Sequence, residues 1–332
     1  MSSQRLSFIA WSPVGGRSEE IATALRGEAR CFYRRGRFGK VSVLARYAWS
    51  ALATVRYLRE RRPSAVIATN PPIFPALLAW AYTRATAGRL ALDSHPGGFG
   101  LQGDRVSRLL QPIHAFLARR AATTLVTDDR LADRVSAWGG RADIVHEAPV
   151  EWSGAPRRGL RKRPRVLFIC IFQRDEPVAE VLEAARRCPE LDVHVTGDPD
   201  RCPAELLRTA PPNVGFTGFL TGEDYERAVL GADLVLALTT EPSSVVRAGY
   251  EAVYAERPLV VSDWPASREV FPHALHVPNE PAAIASGLRR AVAEHERLAR
   301  VAPQALSLQR ARWSEQLSAL RAVIETPTST DA

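Results

Sequence analysis

The sequence predicts an α/β protein with two domains, each built on a parallel sheet. Short apolar runs of strand length alternate with segments of helical periodicity along the 332 residues. A segment rich in Gly, Pro and charge, Glu151–Pro164, separates two series of this kind. The length suits two domains of ordinary size, and the alternation implies sheets covered by helices on both faces.

The first series predicts an N-terminal domain over residues 1–150. Its predicted strands are Leu6–Trp11, Ala65–Thr69, Leu90–Asp93, Thr123–Thr127 and Ile144–Val145. Its predicted helices are Ser18–Leu25, Phe74–Arg84, Val106–Arg119 and Asp129–Trp138. A loop containing Gly15 and Gly16 follows the first strand, and a loop rich in His and Gly, Ser94–Gly100, follows the third.

The second series predicts a C-terminal domain over residues 165–300, after a linker over 151–164. Its predicted strands are Arg165–Ile171, Leu191–Thr196, Val214–Thr217, Leu234–Leu238, Pro258–Ser262 and His276–Val277. Its predicted helices are Val178–Arg187, Tyr225–Leu230, Val245–Ala255 and 281–300. Residues 301–332 form a further helix, over 303–324, and a tail; this helix could pack against either domain, including back on the N-terminal one.

The segment from Ala232 to Val270 predicts a ligand site. It contains a buried strand, a loop of turn and N-cap residues, a helix carrying Glu251 and a second buried strand. In parallel sheets ligands bind outside the carboxyl ends of the strands, and free N–H groups at a helix start favour phosphate. Glu251, two turns into this helix, is placed to accept hydrogen bonds from a sugar or ribose.

Composition and missing motifs exclude several classes. The four cysteines have no metal-like spacing, and neither a P-loop nor an HExxH motif occurs, so we predict no metal and no cofactor. The first residues, MSSQRLSFIAW, lack the long apolar core and cleavage site of a signal peptide. No segment reaches the roughly 20 apolar residues that span a bilayer. We therefore expect a cytoplasmic protein.

The charge is concentrated in the N-terminal half. Residues 1–160 hold 24 Lys and Arg and 12 Asp and Glu, which leaves 20 and 24 for the rest of the chain. Much of the excess is in one segment, in which Trp49, Leu52, Val55 and Tyr57 alternate with the basic residues Arg34, Arg35, Arg37, Lys40, Arg46, Arg56, Arg59, Arg61 and Arg62. One interpretation is an amphipathic helix on an anionic membrane surface, at the inner face of the plasma membrane. The other is an ordinary surface helix whose apolar stripe is core. No nucleic-acid recognition motif accompanies the charge, so we predict no nucleic-acid partner.

The C-terminal half contains a series of landmarks in a specific order. A strand leads to a loop with Arg174, and a later strand ends in Gly197-Asp198. A GFL stretch, Gly218–Leu220, then precedes Tyr225, the ADLVLAL strand, the Glu251 helix and the RPLVVSD strand. This order resembles the GT-B glycosyltransferases of family 4 (group 1), which retain anomeric configuration. The likeness covers roughly residues 165–300, and is looser for the N-terminal half. Among these enzymes the chain looks most like the actinobacterial, polysaccharide-type members.

This resemblance implies two Rossmann-like domains with the active site in the cleft between them. It implies donor-binding roles for Gly15, Gly16, Gly197, Arg247, Glu251 and the helix start at Ser243, Ser244 and Val245. Arg174 would stabilise the charge that develops on the leaving diphosphate, without a metal. His95 would contact the transferred sugar, and Asp93 could orient it or simply end its strand.

The chain departs from the family pattern at two points. Family 4 members usually carry two glutamates eight positions apart; Glu251 fits the second, and Ser243 stands at the first. Glu241, two residues upstream of Ser243, could substitute for the missing catalytic glutamate. No lysine follows Arg174 in Asp175–Val178, and Arg247 could replace that cation.

The sequence therefore predicts a metal-independent, retaining glycosyltransferase that uses a nucleotide-diphosphate sugar, UDP- or GDP-linked. The acceptor, bound by the N-terminal domain, would be a glycan, a lipid-linked molecule or a small molecule in polysaccharide or glycolipid assembly. Two alternatives stay open. One is a non-catalytic GT-B protein that partners or regulates another transferase, and the other is a nucleotide-sugar epimerase or hydrolase.

Overall fold

The protein consists of two compact units, each with one six-stranded parallel sheet. The computed structural model describes residues 5–13, 15–34, 39–100, 105–156 and 159–326. Unit 1 comprises Met1–Ala148 and Arg312–Ala332, and unit 2 comprises Pro149–Ala311. Part of the predicted basic segment lies outside the described residues, namely Arg35, Arg37 and the side chain of Lys40. The same holds for residues 157–158 of the predicted linker and for the tail from residue 327.

Unit 1 follows an alternating β/α order. Its strands are β1 (Leu6–Ala10), β2 (Glu28–Cys31), β3 (Ala65–Asn70), β4 (Arg89–Ser94), β5 (Thr123–Val126) and β6 (Ala142–Ile144), in the sheet order β2-β1-β3-β4-β5-β6. Its helices are α1 (Arg17–Ala24), α2 (Gly39–Arg61), α3 (Ile73–Thr86), α4 (Arg105–Leu109), α5 (Gln111–Arg120) and α6 (Asp129–Ala137), with a 3-10 turn at Pro96–Phe99.

The core of unit 1 lies on both faces of its sheet, because successive strand residues point to opposite sides. Phe8 packs with Ile21 of α1 on one face, and the next residue, Ile9, packs with Leu58 of α2 and Ala76 of α3 on the other. All are buried. This two-sided burial explains why the strands are continuous apolar runs.

Unit 2 repeats the architecture. Its strands are β7 (Arg165–Phe168), β8 (Asp192–Thr196), β9 (Val214–Gly218), β10 (Leu234–Ala237), β11 (Leu259–Ser262) and β12 (Leu275–Val277), in the order β12-β11-β10-β7-β8-β9. Its helices are α7 (Val178–Arg187), α8 (Ala204–Arg208), α9 (Gly222–Gly231), α10 (Arg247–Tyr254), α11 (Pro265–Val270), α12 (Pro281–Ala293) and the first part of α13 (His295–Glu325), with a 3-10 turn at Pro199–Arg201. From Arg312 onward α13 belongs to unit 1, where Trp313 and Leu320 join the core.

Each sheet has one topological switch point, where the chain stops adding strands on one side and continues on the other. In unit 1 this point lies between β1 and β3, and in unit 2 it lies between β7 and β10. The loops that leave two such strands diverge to opposite faces of the sheet, which opens a crevice at their carboxyl ends. The switch points therefore mark where each unit can hold a ligand.

Several elements differ from the sequence prediction, which contained neither helix α8 nor helix α11. The predicted helix Val106–Arg119 is two helices, α4 and α5, separated at Leu110. The edge strand β2 was not predicted, because its half-buried residues lack an apolar run. The last two helices meet at Glu294 rather than before Pro303, so the proline lies inside α13, between the buried residues Leu298 and Trp313. No helix within the described ranges is both long enough and apolar enough to cross a membrane.

Candidate functional site

Two loops meet at the switch point of unit 2, one after β7 and one after β10. Thr239 of the second loop donates its hydroxyl hydrogen to Oδ2 of Asp175 in the first, at 3.2 Å. The N–H of Thr240 donates to the Asp175 carbonyl at 2.7 Å. These bonds hold the two loops together at the carboxyl end of the sheet.

Glu176 fixes the shape of the loop after β7. Its carboxylate accepts hydrogen bonds from the N–H groups of Ile171, at 3.0 Å, and Gln173, at 2.7 Å. Burial raises the pKa of Glu176, and these N–H donors partly offset that effect. Sequence reasoning gave Glu176 no role; the available signal was a carboxylate shortly after a predicted strand, where the loop N–H groups need an acceptor.

Arg174 is the exposed cation of this loop. Within the described part of the chain, its guanidinium forms no hydrogen bond or ion pair. A cation without a carboxylate partner, on a loop of fixed shape at the switch point, can bind an anionic group such as a diphosphate.

Glu241 shapes the loop after β10. Its carboxylate accepts from the N–H of Ser243 at 3.3 Å, and its carbonyl accepts from the N–H of Ser244 at 3.1 Å. Ser243 is buried. The helix begins at Arg247, two residues later than predicted, and its N-cap residue, Val246, provides no side-chain cap. The N–H groups of Ser243 and Ser244 are thus used within the loop.

Glu251 carries two partners in this structure. Nε of Arg247 donates to its Oε1 at 3.0 Å, and the Tyr225 hydroxyl donates to Oε2. Burial first, and then the Glu251 charge, raise the pKa of Tyr225 far above its ordinary value, so the hydroxyl stays protonated. A carboxylate has about four acceptor positions, so Glu251 can still accept from a ligand.

Gly197 allows the end of β8 to approach the loop after β7. Its φ is +96°, and a Cβ atom there would lie 2.8 Å from the Cys170 carbonyl oxygen and 2.9 Å from the Phe172 ring. Its N–H donates to the Gly218 carbonyl at 3.1 Å. The backbone conformation and the close packing therefore require glycine at this position, whether or not a ligand binds.

The predicted residues of unit 1 also lie at the carboxyl edge of their sheet. Gly16 precedes α1 with a φ of 36°, and the carbonyl of Gly15 accepts from the Ser18 N–H at 2.9 Å. His95 begins the turn after β4, where its Nε2 lies 3.4 Å from Oδ2 of Asp93 and its N–H donates to the Asn70 carbonyl at 2.9 Å. Asp93 thus orients His95, one of the two roles considered for it.

Arg17 is the residue of unit 1 that sequence reasoning missed. Its Nε lies 3.1 Å from Oδ1 of Asp93, and its Nη1 lies 3.1 Å from Oε1 of Glu147. It also donates to the carbonyls of Val145 and His146, at 2.7 and 2.8 Å. Burial alone would raise the pKa of Asp93, but Arg17 and His95 outweigh it and hold that pKa well below its usual range.

The structure thus gathers the candidate residues into one group in each unit. Arg174, Gly197, Glu241, Arg247 and Glu251 lie at the carboxyl edge of the unit 2 sheet, together with Ser243, Ser244 and Val245. Gly15, Gly16 and His95 lie at that edge of unit 1. Across the described ranges, no group of three or more His, Cys, Asp or Glu side chains could hold a metal ion.

Residues 163–294 match the family model described as "Glycosyl transferases group 1". No curated protein sequence matches the chain. These residues include the whole unit 2 group above. The narrower likeness to actinobacterial members stays a prediction.

Solved glycosyltransferase structures resemble the chain over nearly its full length. HepE from Anabaena, in complex with UDP and glucose, has a TM-score of 0.73 at 15% identity, covering 96% of this chain and 99% of HepE. Sucrose-phosphate synthase from Thermosynechococcus elongatus has a TM-score of 0.73 at 13% identity, covering 95% and 100%. The lipopolysaccharide outer core galactosyltransferase WaaB has a TM-score of 0.65 at 16% identity, covering 96% and 99%. At these identities the likeness establishes the fold, which is GT-B as predicted.

Proposed function

We propose that this protein is a glycosyltransferase that transfers a sugar from a nucleotide-diphosphate donor to an acceptor. One observation carries the proposal. Arg174 follows β7, and the helix that carries Glu251 follows β10, the two strands that flank the switch point of a sheet within the segment that matches the group 1 model. HepE, which shares the fold, was solved with UDP-glucose, which supports a UDP-linked donor here.

Each residue has a proposed role in donor binding. Glu251 accepts hydrogen bonds from the ribose hydroxyls. Arg174 and the first-turn N–H groups of α10 neutralise the diphosphate, so the charge that develops on the leaving group is stabilised without a metal. Arg247 supplies a second cation near the phosphates and takes the place of the lysine that this chain lacks.

The proposed reaction retains anomeric configuration, with His95 of unit 1 contacting the transferred sugar. Asp93 fixes the ring of His95, and Arg17 fixes Asp93. Because positioning and leaving-group stabilisation would carry the rate, the fixed orientation of these side chains matters more than a strong base. Glu241 is the proposed stand-in for the missing catalytic glutamate; its Oε1 accepts the Ser243 N–H, and the carboxylate keeps further acceptor positions for a substrate.

We propose a cytoplasmic protein that associates with the inner face of the plasma membrane. Helix α2 of unit 1 supports this proposal because its exposed side chains include the apolar Leu52 and the basic Arg56 and Arg59, with Glu60 as the acidic one. Such a helix binds anionic headgroups by charge and the interface by apolar contact. An acceptor in polysaccharide or glycolipid assembly would be available at that surface.

A nucleotide-release assay with purified protein tests the transfer. We expect UDP-glucose or a GDP-linked sugar to be consumed only when an acceptor is present, and chelation by EDTA to leave the rate unchanged. Donor consumption without an acceptor would instead identify a hydrolase or epimerase. Donor binding without consumption would identify the non-catalytic partner, which Ser243 at the glutamate position favours.

A further inference from the structure

An apolar groove lies at the switch point of unit 1, where β1 and β3 end. Trp11 directly follows β1, and Phe74 lies in the first turn of α3, which follows β3. Helix α2 forms the opposite wall. The groove has a volume of about 670 Å³ and is lined by apolar and aromatic side chains, chiefly Trp11, Val43, Leu44, Tyr47, Phe74 and Leu77.

The aromatic side chains of the groove hold one another in place. Trp11 stacks on Phe74 with ring centroids 6.1 Å apart, and Tyr47 meets both rings edge-on, at 5.5 and 5.2 Å. The indole N–H of Trp11 donates to the buried Thr54 hydroxyl at 3.0 Å, away from solvent. The groove is therefore preformed, and its apolar lining favours a hydrocarbon chain over a sugar.

A cation lies beside the groove, in a smaller recess that shares Trp11 and Tyr47 with it. The Arg46 guanidinium lies over the Tyr33 ring, 5.1 Å from its centroid, and donates to the Tyr33 hydroxyl at 3.3 Å. Among the residues that the structure describes, no carboxylate is within ion-pair distance of Arg46. From Ala29 to Arg59 the sequence has 8 Lys and Arg and no Asp or Glu. This recess is complementary to an anion.

We propose that the groove and Arg46 together bind a lipid phosphate, with its hydrocarbon chain along Trp11 and Phe74 and its phosphate at Arg46. The inference rests on the proposed function and assigns its acceptor: a sugar carried on a lipid phosphate. The location supports an acceptor rather than a bilayer lipid. Phe74 lies four residues after Asn70, whose carbonyl accepts the His95 N–H, so the groove lies at the same carboxyl edge of the sheet as the candidate site of unit 1.

Binding of dodecyl phosphate, measured by isothermal titration below its critical micelle concentration, tests the proposal. Leu44 and Leu109 are a matched pair, because both are exposed leucines on helices of unit 1, at 75% and 78%, and only Leu44 lines the groove. We expect Leu44→Glu to weaken binding by about tenfold or more and Leu109→Glu to leave it unchanged. Arg46→Gln weakens dodecyl phosphate by about tenfold and leaves dodecanol unaffected. Melting curves confirm that the variants are folded.

Three results would overturn the assignment. One is equal binding by the Leu44→Glu and Leu109→Glu variants. The second is displacement of dodecyl phosphate by inorganic phosphate at equal concentration, which would mean that only the phosphate is bound. The third is binding to anionic phosphatidylglycerol vesicles without binding to monomeric dodecyl phosphate. Titration of the same proteins with nucleotide sugars separates the two proposals. A protein that binds dodecyl phosphate but no nucleotide sugar contradicts the proposed function alone. A protein that binds a nucleotide sugar but no dodecyl phosphate contradicts the groove proposal alone.

Discussion

Asp93 binds Arg17 through one carboxylate oxygen and His95 through the other, at 3.1 and 3.4 Å. Asp93 is almost fully buried, and Arg17 also reaches Glu147 and two carbonyls near the end of β6. Arg17, the first residue of α1, thereby connects the start of that helix to β4 and to the segment that follows β6. The orientation of His95 consequently depends on a residue distant from it in sequence.

Arg17→Met should strongly destabilise the protein. The change leaves the buried Asp93 carboxylate without its main cation, so we expect the free energy of unfolding to fall by about 3–5 kcal/mol in urea denaturation. Arg56→Met is the matched control, because its ion pair with Glu60 is exposed, and it should change the value by about 0.5 kcal/mol or less. Similar decreases in the free energy of unfolding for both variants would mean that the buried Arg17–Asp93 ion pair contributes no more than an exposed one.

His114 should make the protein less stable as the pH falls. It is buried with Nδ1 2.9 Å from Nδ2 of Asn70, and burial lowers its pKa to about 4. The unfolded chain binds this proton from about pH 6.5 downward and the native state only near pH 4, so stability is present above this window and is lost within it. Between about pH 7 and pH 5 the loss is about 2 kcal/mol.

The His114→Asn variant isolates that effect. Its unfolding free energy should fall less than that of the parent protein over the same pH range. The difference between the two decreases measures the contribution of the His114 imidazole. Parallel pH profiles for the two proteins would show that His114 titrates normally in the native state.

Glu251→Ala should weaken nucleotide-sugar binding. Hydrogen bonds to a charged group contribute about 1.5–3 kcal/mol, so the dissociation constant for the donor should rise by about tenfold or more. Glu223→Ala, an exposed glutamate of the same unit, is the control. Unchanged affinity in a folded Glu251→Ala variant would rule out the ribose role and leave Glu251 as a partner of Arg247 and Tyr225.

Arg174→Ala should lower turnover with little effect on stability. The side chain is exposed and has no partner among the residues described, so its loss should change the melting temperature by no more than Arg186→Ala does. We expect kcat to fall by about tenfold to a hundredfold, because leaving-group charge is no longer offset. A shift in melting temperature with kcat intact would assign Arg174 a structural role.

Membrane binding should depend on helix α2. In vesicle flotation we expect the protein to follow anionic vesicles at low salt and to be released as the ionic strength rises. The double variant Arg56→Glu with Arg59→Glu should bind less, and Arg186→Glu with Arg187→Glu should bind as the parent protein does. No flotation at low salt would remove the membrane proposal.

Much of the fold followed from the sequence because the strands are buried on both faces. Runs such as Leu234–Ala237 and Leu259–Ser262 are continuous and apolar, and the structure confirms both as strands. Strand β2 has no such run, since it lies at the sheet edge and its side chains reach solvent. The edge strands β9 and β12 were predicted nevertheless, so the pattern fails at β2 because its apolar run is missing, and not at every sheet edge.

The candidate site was less accessible to sequence reasoning. Positions such as Glu251 follow from their place in a βαβ unit, but the partners Tyr225 and Asp175 depend on which loops the sheet order brings together. Arg17 offered a signal that was not used. A cation in the first turn of a helix is unfavourable against the helix dipole, so it implies a compensating anion elsewhere, here Asp93 and Glu147.

The most direct test of the central claim is a thermal-shift titration with UDP, GDP, dTDP and ADP and their common sugars, on the parent protein and the Glu251→Ala variant. Ligands that bind the native state raise the melting temperature by mass action. The account predicts a concentration-dependent rise with one nucleotide, UDP or GDP, that the variant largely loses. No rise with any nucleotide up to millimolar concentration, or an equal rise in the variant, would contradict it.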